Sequence, residues 1–394
     1  MRTLTHSLLL ISVVAGAASH AQEPGKVTDP VVTTADARQS YALYLPSAYN
    51  REKKWPVILV FDPSGIGAEP MGSFQAAAER HGYLVAASNN SRNGPARISM
   101  EAFVAMYDDV RKRFAVDDAR IYAAGFSGGA RVAGMAALYC GGCIRGIIAC
   151  GAGLPYNITE DGRRKLPAYF FTIGRYDFNY FEVFDAARSL AAPRVVAVFE
   201  GAHQWLTPEL AERALAWLDA GAGTSEVAAE TPQESAQRKQ LAELTRSLLE
   251  RLRAAVRPGE ERAQNLRDLR SEMTALRKKR EQATGEDLVV LRRALGQALV
   301  GVHQTASELG GEDPELGAGL MEAAVEANPK YAGFPYEMAG YWAAAGNKKK
   351  ALNALKRAVE LGFKDKQALA SSKSFDKLRE SEEFQAIANS MAKK

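Results

Sequence analysis

The chain has 394 residues, 47% hydrophobic and 24% charged, and its 50 Lys and Arg against 46 Asp and Glu leave a net charge of +4. These proportions exclude a disordered or fibrous polymer and leave room for about two domains. So mild a charge implies no particular partner, and the basic runs at 277–280 and 348–350 sit in acid-rich helical surroundings, as solvated faces do, so no nucleic-acid partner is expected.

Residues 1–21 join Arg2, an apolar stretch at 8–15 and the small residues Ser19 and Ala21. They are expected to be a signal peptide cut after Ala21, because the apolar run is too short to cross a bilayer. No later segment approaches the roughly 20 apolar residues of a membrane span. The expectation is an exported protein, periplasmic or secreted.

From 27 to 220 strand and helix patterns alternate. ARQSYALYLPSAY (37–49) reads as a hairpin-like opening, followed by the buried strand PVILVFD (56–62), a helix over 70–81 and the strand YLVAAS (83–88). A helix over 99–115, the strand RIYAAGF (120–126) and a helix over 128–139 come next. IRGIIACG (144–151), AYFFTIG (168–174) and RVVAVFEG (194–201) are further strands, with amphipathic helices over 178–190 and 207–219. Such alternation predicts an α/β domain built on a mostly parallel sheet covered on both faces.

Residues 221–234 are small and polar, a linker. Over 235–310 the strands stop, and leucines at three- and four-residue spacing predict helices separated at Pro258-Gly259 and Thr284-Gly285. In 311–394, Met321, Ala324 and Pro329 are matched by Leu355, Ala358 and Phe363, each pair 34 residues apart (355 − 321, 358 − 324, 363 − 329). That is the tetratricopeptide period, and it makes this end a candidate surface for a protein partner. Two unrelated amphipathic hairpins are the competing reading.

Cys140, Cys143 and Cys150 fall within eleven residues. A Cys140–Cys143 disulfide and plain buried thiols are both open. One Cys-x-x-Cys pair cannot close a zinc site, and neither metal nor cofactor is expected.

The chemistry centres on Gly125-Phe126-Ser127-Gly128-Gly129, a G-x-S-x-G between a strand and a helix. This context fits a nucleophile elbow, whose strained serine needs glycine two residues to either side. The lysine of a phosphate-binding loop and the G-x-G-x-x-G order are both missing. Of the histidines beyond the signal, His81 precedes a strand and His303 lies in the helical half, which leaves His203 at the carboxyl edge beside Ser127. Asp177, three residues past the strand 168–174, is the candidate carboxylate, with Asp161 and Glu200 as rivals and a helix N-cap as its structural alternative. Gly128 offers one oxyanion amide. Ser64 and Gly65, after the strand 56–62, are candidates for the second, since Pro63 has no amide hydrogen.

The stretches YALYLPSAY, VILVFDPSG, DARIYAAGFSGGARVA, TIGRYD and EGAHQW resemble the α/β-hydrolase esterases that include polyhydroxybutyrate depolymerases, feruloyl esterases and dienelactone-hydrolase-like proteins. The resemblance implies an eight-stranded α/β-hydrolase fold, a Ser127, Asp177, His203 triad and hydrolysis of acyl esters. Two departures stand out. Asp62-Pro63 replaces the usual His-Gly, and no long insertion supplies a lid, so the site is expected to be open. Asn90 and Arg92, after the strand 83–88, and the aromatic residues Tyr156, Tyr180 and Trp205 are candidates for contacts with a small-molecule, carbohydrate or phenolic ester. A peptidase on the same machinery and an inactive binding scaffold are the alternatives.

Overall fold

The computed structural model describes residues 22–391, so the expected signal segment lies outside the described residues. Eight strands form one sheet: β1 (Val27–Val32), β2 (Ser40–Tyr44), β3 (Trp55–Phe61), β4 (Leu84–Ser88), β5 (Val116–Phe126), β6 (Gly146–Cys150), β7 (Ala168–Gly174) and β8 (Arg194–Phe199). Their spatial order is β1-β2-β4-β3-β5-β6-β7-β8. β1 and β2 run antiparallel to their neighbours, and every pair from β4 to β8 is parallel. This is the α/β-hydrolase fold followed by an all-helical region.

The central strands are apolar at almost every position because both faces are covered. Every residue of β3, β4 and β6 is buried. Helices α1 (Met71–His81) and, later in the chain, Pro208–Asp219 pack one face through Phe74, Ala78, Ala211 and Leu215. α2 (Ala96–Arg113), α3 (Gly128–Tyr139), the short α4 (Glu160–Lys165) and α5 (Tyr180–Ser189) follow in order, and α2, α3 and α5 pack the opposite face. The helix Pro208–Asp219 is α6.

The opening hairpin differs from expectation. β2 pairs back with 27–32, Tyr41 opposite Val31, rather than folding within 37–49. Four of the six residues of β1 are exposed, so its sequence carries no clear period of two.

Residues 221–231 do not hang free. Glu226 donates to Arg194 O at 2.9 Å and accepts from Val196 at 2.9 Å, adding one bridge to the outer edge of β8. α7 (Pro232–Val256) then starts on a capping box in which Thr231 and Glu234 satisfy each other's backbone amides. α8 (Arg262–Gln282), α9 (Gly285–Leu309), α10 (Pro314–Ala327), α11 (Gly333–Ala344), α12 (Lys348–Glu360), α13 (Lys366–Ser371) and α14 (Glu382–Ser390) complete the chain. Of the three 34-residue pairs, Met321 with Leu355 and Ala324 with Ala358 are fully buried on α10 and α12, while Pro329 and Phe363 are half-buried just past those helices.

One buried cluster runs without a break from the sheet into the helices. It joins Tyr169, Phe171, Phe181 and Phe184 to Leu241, Leu248, Ala294 and Leu295. The two regions therefore share a core, and α9 lies against the loop after β7.

Asp109 of α2 anchors the opening hairpin. Its Oδ1 accepts Thr34 N and Oγ1, both at 2.8 Å, and its Oδ2 accepts Tyr41 Oη at 2.7 Å and Arg113 Nη1 at 3.1 Å. Burial pushes its carboxyl upward, but these hydrogen bonds hold it below the ordinary 3.8. Asp109→Asn should lose about 1 to 3 kcal/mol in urea unfolding, because the Tyr41 hydroxyl loses its acceptor. A lowered carboxyl stabilises the fold above its unfolded value and loses that contribution as pH falls through the folded one. The difference between wild type and variant should therefore hold at neutral pH and shrink below about pH 4.

Candidate active site

β5 ends at Phe126 and α3 begins at Gly128, so a single residue makes the turn. That residue, Ser127, is held at φ 53°, ψ −119°, a conformation L-residues rarely adopt. Its amide donates to Cys150 O on β6 at 2.8 Å, fixing the turn to the sheet. A Cβ at Gly125 would lie 2.1 Å from Gly129 O, and one at Gly129 would lie 1.9 Å from Phe61 O. Backbone fills both places where side chains would stand, which is the spatial reason for the two glycines.

His203 follows β8 and completes a chain of hydrogen bonds. Its Nε2 is 2.9 Å from Ser127 Oγ, and its Nδ1 is 2.9 Å from Asp177 Oδ2. A carboxylate can only accept, so Nδ1 carries the hydrogen and Nε2 is free to accept from the serine. Asp177 is fully buried, and its other oxygen accepts the Asn179 amide at 2.8 Å. Asn179 Nδ2 in turn donates to Gly151 O at 2.8 Å, tying the acid loop to the end of β6. Two aromatic rings pack against the imidazole in tilted contacts, Phe126 at 4.5 Å and Phe178 at 4.2 Å between centroids.

The rival groups are engaged elsewhere. Asp161 pairs with Lys165 at 2.6 Å, and Glu200 hydrogen-bonds Tyr176 and raises that phenol. His81 lies between Asp219 and Glu212, and His303 meets Glu337 at 2.8 Å.

The loop after β3 departs from expectation. Asp62 is buried and folds its carboxylate over its own turn: Oδ1 accepts Ser64 N at 2.8 Å, while Gly65 N donates to Asp62 O at 3.3 Å. Both amides expected as second oxyanion donors are therefore occupied. Asp62 Oδ2 accepts Trp205 Nε1 at 3.2 Å, which draws this turn toward the histidine loop. Beside Gly128 stands the carboxamide of Asn93 instead; a Cβ on Gly128 would lie 1.8 Å from its Oδ1. Backbone N of Asn93 donates to Pro63 O at 2.8 Å, so the loop after β4 is latched onto the loop after β3.

Of the residues expected to touch substrate, Trp205 lies beside His203 and Phe126. With Phe126, His203, Leu206 and Pro208 it lines a cavity of about 490 Å³ that Glu69, just before α1, and Ser73 of α1 also border. Two others are corrected. Asn90 is consumed by the end of β2, accepting Ser40 N at 2.8 Å and donating to Arg38 O at 2.9 Å. Tyr180 is buried and turns its hydroxyl to Glu234 of α7 at 2.7 Å, away from the cleft. Tyr156 is exposed, with the Arg131 guanidinium 4.0 Å from its ring, and Arg92 is exposed with its amide tied to Ser99. Cys140 and Cys143 are joined as a disulfide, and burial pushes the Cys150 thiol up to about 12.

Sequence reading passes over Gly151, Phe178 and Asn179. Only Gly151 carries a local signal, a glycine just past a strand; the other two matter because tertiary contacts bring β6, β7 and β8 together. Gly151 sits at φ +66°, and a Cβ there would come within 3.2 Å of both Asp177 Oδ2 and His203 Nδ1.

No family model matches the chain, and no curated protein matches it. Among solved structures, it is similar to Est1E from Butyrivibrio proteoclasticus at 14% identity, over 50% of this chain and 99% of that one, with a TM-score of 0.41. It is likewise similar to S-formylglutathione hydrolase from Staphylococcus aureus, at 14% identity, 50% and 98% coverage and a TM-score of 0.39. A ferulic acid esterase has 18% identity, 50% and 97% coverage and a TM-score of 0.39.

Gly151→Ala should cost about 1 to 3 kcal/mol in urea unfolding, from the left-handed backbone and the crowding of Phe126. Gly141→Ala, also at positive φ but with no atom within 4 Å, supplies the backbone cost alone and should lose less.

Proposed function

We propose that the chain is a serine hydrolase that cleaves carboxylic esters through an acyl-enzyme. The observation that carries this reading is the unbroken series Ser127 Oγ, His203, Asp177, with both links at 2.9 Å. Ser127 attacks the ester carbonyl as its proton passes to His203 Nε2. The resulting imidazolium is stabilised by Asp177 and returns the proton to the leaving alcohol. Water then repeats the sequence on the acyl-serine, releasing the acid and restoring the hydroxyl.

The negative oxygen of each tetrahedral intermediate faces the amino end of α3. Gly128 N donates there, and the helix dipole adds to it. With the amides of Ser64 and Gly65 occupied, we assign the second donor to the carboxamide of Asn93, the polar side chain packed on Gly128. The cavity beside His203, walled by Phe126 and Trp205, suits an apolar or aromatic portion of a small substrate. The Cys140–Cys143 disulfide supports an oxidising compartment, in keeping with export. Among the described residues no helix is long and apolar enough to cross a membrane.

Ser127→Ala should abolish both turnover of a short-chain nitrophenyl ester and labelling by a fluorophosphonate, with the unfolding midpoint little changed. Unchanged turnover would remove Ser127 from the reaction, and an unlabelled wild type would favour a binding scaffold. A matched amide substrate separates esterase from peptidase: the ester should turn over and the amide should not.

Asn93→Ala should lower kcat by about 10²-fold with a small change in KM, as loss of one side-chain oxyanion donor does. Equal loss with Asn93→Asp, which cannot donate, would support the assignment. Retention of wild-type kcat in both variants would reject it.

A further inference from the structure

The acid loop, residues 175–180, has two neighbours. On one side it meets β6 and β8; on the other it is held by the helical half. Arg293 of α9 is only 2% exposed and directs Nε and Nη2 to Arg175 O, at 3.1 and 2.7 Å. Its guanidinium lies 3.7 Å from the Tyr180 ring centroid, and its Nη1 donates to Gln237 of α7 at 3.1 Å. One turn further along α9, Gln297 Nε2 donates to Phe178 O at 3.0 Å while its Oε1 accepts from Thr245 of α7 at 2.7 Å. Arg292 stands 4.1 Å from the Tyr176 ring, and Arg175 pairs with Glu286 at 2.8 Å.

Between these polar contacts α9 presents Gly296. A Cβ there would be 2.9 Å from Phe178 Cδ1 and 3.0 Å from Phe178 Cβ, so the missing side chain lets the helix lie on the phenylalanine. The same Phe178 ring is 4.2 Å from the His203 ring, centroid to centroid. From α9 to the imidazole there is therefore one side chain, and from α9 to Asp177 one peptide on either side.

We propose that the helical half completes the active centre, with Gly296, Gln297 and Arg293 acting as positioning residues that fix the loop of Asp177 and, through Phe178, the plane of His203. This rests on the serine hydrolase reading of the site. Catalysis is sensitive to such settings because displacement of a reacting group by about 1 Å costs about 10²-fold in rate. The acid loop is braced on the sheet side by Arg175 N to Phe199 O, Tyr176 N to Gly201 O and Asn179 Nδ2 to Gly151 O. Within its own turn it is held by Asp177 N to Gly174 O, Tyr180 N to Asp177 O and Asn179 N to Asp177 Oδ1. The carbonyls of Arg175 and Phe178 are held from the other side by α9.

The test uses the full chain and two alanines on one helix. Gly296→Ala and Gly301→Ala both raise helix propensity. The Cβ at 301 has a single neighbour, Leu252 at 3.7 Å, which is ordinary contact. Gly301→Ala should keep wild-type kcat, while Gly296→Ala should lose about tenfold in kcat with KM changed less than twofold.

Proton NMR supplies a readout that needs no substrate. The hydrogen shared by His203 Nδ1 and Asp177 gives a far-downfield resonance in wild type, which should persist in Gly301→Ala and shift or broaden in Gly296→Ala. Gln297→Leu, which removes the donor to Phe178 O without adding bulk, should act in the same direction and decides the matter if Gly296→Ala does not fold. Folded Gly296→Ala and Gln297→Leu with wild-type kcat and an unmoved resonance would overturn the proposal. A wild type that neither hydrolyses esters nor takes a fluorophosphonate would instead defeat the hydrolase reading, while the resonance would still report on the loop.

Discussion

Everything at the site depends on one imidazole being held in one plane. His203 has a hydrogen bond at each nitrogen, and the two partners come from different strands: Ser127 from the end of β5 and Asp177 from the end of β7. A ring with two fixed partners still rotates about the line joining them. Phe126 and Phe178 restrict that freedom by packing against the ring, tilted to it by 43° and 38°, and each is the immediate chain neighbour of one of the two partners. The sheet determines where the atoms are, and the aromatic slab determines how the ring is turned. Local strain has a place here as well, since the positive φ of Ser127 lifts its hydroxyl off the strand line toward the ring.

The buried end of the relay is built to leave no polar group unmet. Asp177 is removed from water, and a carboxylate there needs its lone pairs filled. Its two oxygens take the His203 ring and the Asn179 amide, while Asn179 spends its side chain on Gly151 O. The same economy explains Asp62. In place of a loop whose amides stay free for the reaction, a buried carboxylate binds the turn to itself and to Trp205. At the mouth of α3 the polar side chain is that of Asn93, from the loop after β4, whose carboxamide stands against Gly128.

Much of the sheet is legible in the sequence because its strands are buried on both faces. PVILVF, YLVAAS and AYFFTIG read as strands whatever their neighbours do, whereas the placing of β4 between β2 and β3 is a matter of pairing that no single stretch carries. β1 is not legible in this way: it is an exposed edge strand, and only its pairing with β2 identifies it. At the site, Ser127 and its glycines carry a local backbone requirement that leaves a motif. His203 and Asp177 are found by their place after strands. The residues that set their orientation leave no such trace. Nothing near Phe178 or Gly296 in sequence tells that they touch, for they are 118 positions apart (296 − 178) and meet only because α9 crosses the acid loop. Asn90 and Tyr180 fail for the opposite reason. Each lies in the expected loop, but its side chain is taken by a backbone or carboxylate partner that no linear pattern reveals.

Arg293 shows why the contact between the halves is more than shared core. Burial lowers its guanidinium to about 10, which leaves it charged at neutral pH in a place almost closed to water. An apolar side chain of similar volume would fill that space without the desolvation cost of a buried cation. It would not reach the carbonyl of Arg175, nor lie with its plane against Tyr180. A leucine there gives adhesion without register, because apolar contact is nearly indifferent to small slides. A guanidinium fork on one carbonyl, with Gln297 on another three residues along, permits a single seating of the loop against the helix. The helical half thus contributes direction to the site, a quantity that hydrophobic packing between two domains cannot provide.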